Sequence, residues 1–275
     1  MARTRKRRNP LQLPAYLSGT TPAAFIAQNP VFSLGDLRVA YKHMGRKPAA
    51  AREAIAYHLA NGTIVHLRRG LYSHPSGVDP YVIATRLTPD AIIAYGGALC
   101  FHGLTPLRHS IQYVTSMRTD ELVRNEIIYT PVRSQTRSKA YGLLDGAVSA
   151  GQPIRVTSLP ATLVDCLDRV DLVTDWEELW GVFSDLKTVD WDAVLEHWKA
   201  LGKSPLLASR LGVFFSSSRH LRQHAFLTQL ERVSLQKPAY FHRSSSAGAR
   251  GQAFVAKWQI ILPPELEKLR AQSSR

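Results

Sequence analysis

Between positions 20 and 75, breaker residues fall at intervals that leave room for three short helices and a hairpin and for little else. Pro22 suits the first turn of a helix over Thr21–Gln28, Phe25 and Ile26 give it an apolar side, and Pro30 stops it. Ser33 stands where an N-cap belongs, ahead of Leu34–Tyr41, in which Leu34, Leu37 and Tyr41 recur at helical spacing. Met44-Gly45-Arg46-Lys47 makes the next turn. Pro48 opens a third helix, Ala49–Ala60, which Asn61-Gly62 ends. The β-rich run Thr63–Leu67 turns through Arg68-Arg69-Gly70 and returns as Leu71-Tyr72-Ser73, with Gly70 supplying the backbone freedom of a tight turn. Three helices and a hairpin in so short a stretch are the plan of a winged helix-turn-helix.

The charge follows the same stretch. The chain has 35 Lys/Arg against 21 Asp/Glu, a formal net charge of +14. Residues 1–78 hold twelve of the cations and only two acids, Asp36 and Glu53, so ten of the fourteen net charges lie there. An asymmetry on this scale points to an anionic partner, nucleic acid or an acidic membrane surface. No apolar run approaches the roughly 20 residues that span a bilayer, which argues against a membrane-spanning chain. The hydrophobic fraction of 45% is enough for a proper core. Cys100 and Cys166, the two cysteines, make neither a zinc pattern nor a disulfide framework, and a reducing cytoplasm is the expected compartment. The basic start, with no signal-peptide apolar segment behind it, is expected to be a mobile arm over 1–19.

On a helical wheel of the third helix, Ala51, Ala54, Ile55, His58 and Leu59 share one side and must pack inward. The opposite side carries Ala49, Glu53, Ala56 and Ala60, flanked by Arg52 and Tyr57. Such a face fits the major groove: the alanines permit close approach and contact with thymine methyls, Arg52 reaches a guanine edge or a phosphate, and Glu53 accepts from a cytosine amino group. Arg46 and Lys47, just ahead, are placed to hold phosphates with the helix N-terminal amides. Arg68 and Arg69 are expected at the hairpin tip, and Arg5, Arg7 and Arg8 in an arm that tracks a minor groove or the phosphates. The plain alternatives are a solvated helix face, an exposed turn and a solubilising tail. The groups are harder to dismiss jointly, because all fall on the DNA-facing parts of one fold.

Ser76–Pro80 reads as the boundary between a domain over 20–78 and a larger one over 79–275. In the second, strands are expected at Ile111–Met117, Glu126–Val132, Ile154–Thr157 and Ala253–Leu262. Helices are expected at Pro160–Arg169, Asp175–Leu186, Asp190–Leu201, Pro205–Phe215 and Leu221–Val233, and a loop at Ser244–Gly251. No phosphate-cradling, dinucleotide, zinc-protease or nucleophile-elbow motif is present, and Gly96-Gly97 reads as close backbone packing. His102 and His109 flank a turn without metal-ligand company. Asp165 and Asp168, followed by Arg169, form a carboxylate pair fit for a metal or acid–base work, or a solvated face with a helix salt bridge. Trp176, Trp180, Trp191 and Trp198 read as core.

At this point the residues carry a resemblance. The hairpin Leu67-Arg68-Arg69-Gly70-Leu71-Tyr72 resembles the wing of the AbiEi family, and an ordered series follows it: Asp79-Pro80, Ala98-Leu99-x-x-His102-Gly103-Leu104, the run Val156–Arg169, and Trp-Glu-Glu-Leu-Trp at 176–180. It spans roughly residues 20–235 and leaves out the basic arm and the end after Val233. Members of that family are antitoxins of type IV toxin–antitoxin systems. The resemblance implies a winged helix that represses its own operon at an inverted repeat, and a C-terminal domain that neutralises a nucleotidyltransferase toxin from the neighbouring gene without needing a stable complex.

The expectation is thus an α+β chain, an N-terminal winged helix-turn-helix followed by a larger mixed α/β domain. It acts as a non-enzymatic DNA-binding antitoxin, one or two copies on double-stranded DNA, with no cofactor or metal. The rivals are a DNA-targeted metal-dependent nuclease or transferase using Asp165 and Asp168, and a ligand-sensing transcription factor without a toxin.

Overall fold

The Thr21 hydroxyl accepts from Ala24 N and Pro22 takes the first helical position, which starts α1 (Pro22–Gln28). The computed structural model describes residues 21–106, 109–133, 142–172, 175–216, 225–242 and 251–273. The expected arm, and all but the last residue of the loop expected at Ser244–Gly251, lie outside them. The chain divides into two units, one running through Ala91 and taking back Val148–Gln152, the other comprising Ile92–Ala147 and Pro153–Arg275. The first unit therefore continues past the boundary expected at 78. The whole is α+β.

In the first unit, α1 leads into a strand the periodicity does not announce, β1 (Val31–Ser33). Ser33 ends that strand and caps α2 (Leu34–His43): its hydroxyl accepts from Asp36 N at 3.1 Å, and Asp36 Oδ2 accepts from Ser33 N at 2.8 Å. A 3-10 turn, Pro48–Ala50, precedes α3 (Ala51–Ala60), so the third helix proper begins two residues later than expected. β2 (Val65–Arg68) and β3 (Leu71–Ser73) form the hairpin. β3 is central in an antiparallel sheet ordered β1-β3-β2, with Phe32 opposite Tyr72. Phe25, Ile26, Phe32, Leu37, Tyr41, Ile55 and Ile64 close over one another as the core. Burying each such side chain contributes about 1.5–3 kcal/mol, which is what holds helices this short. Asp79 caps α4 (Pro80–Arg86), which belongs to this unit.

The second unit begins with a four-stranded sheet of β4 (Ile92–Ile93), β5 (Ser110–Thr115), β6 (Leu122–Arg124) and β7 (Ile127–Arg133). Its order is β4-β5-β7-β6, with β5 and β7 parallel from Ser110↔Ile128 to Thr115↔Arg133. α5 (Tyr95–Phe101) lies on β5, and a Cβ on Gly97 would stand 3.1 Å from Ile111 Cγ2, so the close packing read from the glycine pair is real. After this sheet the chain makes a short hairpin, β8 (Val148–Ser149) and β9 (Gln152–Pro153), which up to Gln152 belongs to the first unit. Ile154–Thr157 is not a regular strand; it touches β4 through a single bridge, Ile93↔Val156.

Helices α6 (Leu159–Asp168), α7 (Trp176–Asp185), α8 (Trp191–Ala200), α9 (Pro205–Phe215) and α10 (Ala225–Val233) then build an apolar bundle. Trp180 and Trp198 are buried in it, and Trp176 and Trp191 pack on it half-buried.

The segment expected as one late strand is a hairpin. β11 (Ala253–Val255) and β12 (Ile260–Leu262) pair antiparallel around a 3-10 turn, Ala256–Trp258, and a left-handed Gln259. The alternation of Phe254, Ala256, Trp258 and Ile260 misleads because the chain reverses inside it. The reversal sends Trp258 into the bundle against α9, where Gly212 leaves room for the indole. β10 (Ala239–Tyr240) joins β12 in parallel, and α11 (Pro264–Ser273) closes the described chain. Buried Arg210 ties this C-terminal part to α6. Its guanidinium donates to Phe241 O at 2.9 Å, Leu167 O at 3.0 Å and Asp168 O at 3.1 Å. Burial lowers its pKa to about 10, opposed by Asp168 and Asp171.

Candidate nucleic-acid interface

The turn between α2 and α3 is set by how α2 ends. Gly45 takes φ +68°, a left-handed conformation that glycine adopts without a Cβ penalty. Gly45 N then donates to Lys42 O at 3.1 Å and Arg46 N to Tyr41 O at 2.8 Å, the paired bonds of a Schellman ending. The same pair recurs after α3, from Gly62 N to Leu59 O and from Thr63 N to His58 O. Thr63 adds a side-chain lock: its hydroxyl donates to His58 O and accepts from His58 Nδ1 at 2.7 Å. The C-terminal ends of α2 and α3 are thus fixed by backbone bonds, and Arg46 and Lys47 follow a defined helix end.

Exposure along α3 divides as the wheel demands. Ala51 and Ile55 are buried, and Ala54, His58 and Leu59 are half-buried. Arg52, Glu53, Ala56, Tyr57 and Ala60 are exposed, as are Arg46, Lys47 and Ala49 ahead of the helix. Tyr57 is 65% exposed, with its ring edge-on to that of His58. Burial pushes the Tyr41 phenol above its usual range, with Arg46 drawing it down and Glu53 adding to the rise.

One expected position is corrected. Arg68 is not at the hairpin tip; it is the last residue of β2, opposite Leu71 and half-buried. A bulge at Leu67, where His66 and Arg68 face consecutive partners on β3, takes up one residue and draws Arg68 into the ladder. Only Arg69, exposed, stands with Gly70 at the turn. Arg5, Arg7 and Arg8 lie outside the described residues. Sequence reasoning passed over Lys42 and His43, exposed in the last turn of α2. The charge of Lys42 was the available signal, but a last-turn cation serves the helix dipole equally well.

In the second unit, the carboxylate pair on α6 is not a solvated face. Asp165 is fully buried and accepts from His197 Nε2 of α8 at 3.0 Å, whereas Asp168 is half-buried. Arg169 turns to Asp171 instead, with a two-pronged contact at 2.9 and 2.7 Å. His102 Nε2 donates to Thr157 O, just ahead of α6, at 2.8 Å, and His109 is exposed. Among the described residues, no three His, Cys, Asp or Glu side chains gather as a metal site. Among them, too, no helix is long and apolar enough to cross a membrane.

Comparison with family models and with curated proteins returns no match. Among solved structures, the chain is similar to the RV2827C protein from Mycobacterium tuberculosis, with a TM-score of 0.60 and 16% identity over 91% of this chain and 92% of that one. A likeness at that identity concerns the fold, and it runs through both units.

Proposed function

We propose that the N-terminal unit is a winged helix-turn-helix that binds duplex DNA, with α3 in the major groove and the β2–β3 hairpin as its wing. The observation that carries this reading is the outward side of α3. Arg52, Glu53, Ala56, Tyr57 and Ala60 are exposed together behind the exposed Arg46–Lys47 turn, while Ala51 and Ile55 hold the helix to the core. A side of small alanines around one carboxylate, edged by Arg52 and Tyr57, suits a base edge better than it suits bulk solvent alone.

On this reading the protein is a cytoplasmic autorepressor at an inverted repeat and, through its second unit, a non-catalytic antitoxin against a neighbouring nucleotidyltransferase. The antitoxin half rests on the ordered motifs from Asp79 to Trp180.

The test is a titration against the DNA upstream of the protein's own gene, beside a scrambled duplex of equal length. Tighter binding to the upstream DNA by about 10³ or more supports the repressor reading. Equal binding to both removes it. Co-expression with the neighbouring toxin checks the other half, and growth that stays arrested refutes it.

A further inference from the structure

We propose that Glu53 sets the base preference of the α3 surface, repelling phosphates wherever no base amino group is placed to receive its carboxylate. This rests on the DNA-binding reading above and deepens it.

From Leu37 to Arg69 the chain carries seven cations, Arg38, Lys42, Arg46, Lys47, Arg52, Arg68 and Arg69, and a single acid, Glu53. The next acid upstream, Asp36, is engaged in capping α2 through Ser33. Glu53 does not lie at the rim of the proposed surface. It shares a side of the helix with Ala56 and Ala60, three and seven residues after it, and all three are exposed, as is Ala49 in the turn ahead of the helix. Alanine methyls neither screen a carboxylate nor bond to it, so whatever approaches α3 meets this charge. The buried Tyr41 phenol senses both Glu53 and Arg46, so the carboxylate and a cation of the adjoining turn act in opposite directions on one group.

Glu53 also has an ordinary duty. It lies in the first turn of α3, whose N-cap, Ala50, makes no side-chain bond, and a carboxylate there favours the positive helix end. That duty is met by an acid at any first-turn position and does not require the centre of the outward side. The neighbouring first-turn position holds Arg52 instead. The cations attract every duplex alike, because phosphates carry no sequence. One acid among them subtracts from that attraction on all duplexes. Only where a cytosine amino group donates to it is the loss offset. Discrimination then comes from a penalty on wrong sequences, not from added attraction to the right one.

The test uses the full chain with Glu53→Gln, which keeps the size and removes the charge, and Glu53→Ala, which also removes the acceptor. Both should bind scrambled duplex more tightly, by about fivefold or more, and lose about tenfold in the ratio of upstream to scrambled binding. Selection from a randomised duplex pool should move at one base pair from C·G toward A·T with Gln, which pairs bidentately with adenine, and lose preference there with Ala. A helix-end role alone would shift thermal unfolding and leave the selected sequence unchanged. If the wild type prefers its upstream DNA and both variants keep the same ratio and the same selected sequence, this inference is overturned and the DNA-binding reading stands. If the wild type shows no preference, both fall.

Discussion

Gly212→Ala should destabilise the protein, and the same substitution should stabilise it once Trp258 is removed. Gly212 lies inside α9, and a Cβ built on it would overlap ring carbons of the Trp258 indole. The ring is 1% exposed and wedged in the main core cluster, so it has nowhere to retreat. Overpacking of this kind costs about 1–3 kcal/mol, and more against a rigid ring. Alanine is the better helix residue by about 1 kcal/mol, which offsets part of it. A net loss of about 2 kcal/mol is expected. Trp258→Ala alone should cost about 3–5 kcal/mol. With the indole gone, only the helix preference remains at 212, and Gly212→Ala then gains about 1 kcal/mol. The coupling in the double-mutant cycle is therefore about 3 kcal/mol. Urea titrations of the four proteins, followed by far-UV circular dichroism, read it as opposite shifts of midpoint at similar slope. An equal cost in both backgrounds would refute the steric reasoning, and so would a neutral substitution in the wild type.

Four further outcomes are expected. Arg46→Gln and Lys47→Gln should each flatten the salt dependence of duplex binding by about 0.9 log unit per log unit of salt, with the preference for upstream DNA kept; titrations at several salt concentrations read the slope. Arg52→Ala should cost about 1–3 kcal/mol on the preferred duplex and relax one base position, and an equal loss on every duplex would reassign it to a phosphate. Ser33→Ala removes the hydroxyl that caps α2 and should lower stability by about 1 kcal/mol, with Ser33→Asn recovering most of it in thermal melts. Arg210→Met strands the carbonyls of Leu167, Asp168 and Phe241 and should cost about 3 kcal/mol or more in urea unfolding; a variant as stable as wild type would mean that relief of the buried charge outweighs those bonds.

The legible parts of this chain are those where local chemistry and burial agree. Ser33 and Asp36 declare the start of α2 by their spacing, and the two sides of α3 follow from where Ala51 and Ile55 recur. The first sheet was half-hidden, because β1 has three residues wedged between two helices and no room for an alternation to show. Arg68 was misplaced because a bulge shifts register by one residue, and nothing in the side chains of residues 65–68 marks it. Asp165 looked like a surface carboxylate, since acids on helices usually are; the histidine that lets it be buried is 32 residues away on another helix. The hairpin at 253–262 was read as one strand because alternation is blind to a reversal of direction.

The first unit is not one stretch of chain. Val148–Gln152 returns to it from far downstream, and Gln152 Nε2 donates to Gln28 O at 3.1 Å. The polypeptide therefore passes between the units three times, and no single cut frees one intact. A fragment ending at residue 91 lacks five residues that its own fold uses, and one ending at 78 lacks α4 as well. The same holds for inheritance. A recombination with one breakpoint at residue 91 would leave the first unit with a Val148–Gln152 segment from the other parent, so moving that unit whole takes more than one crossover.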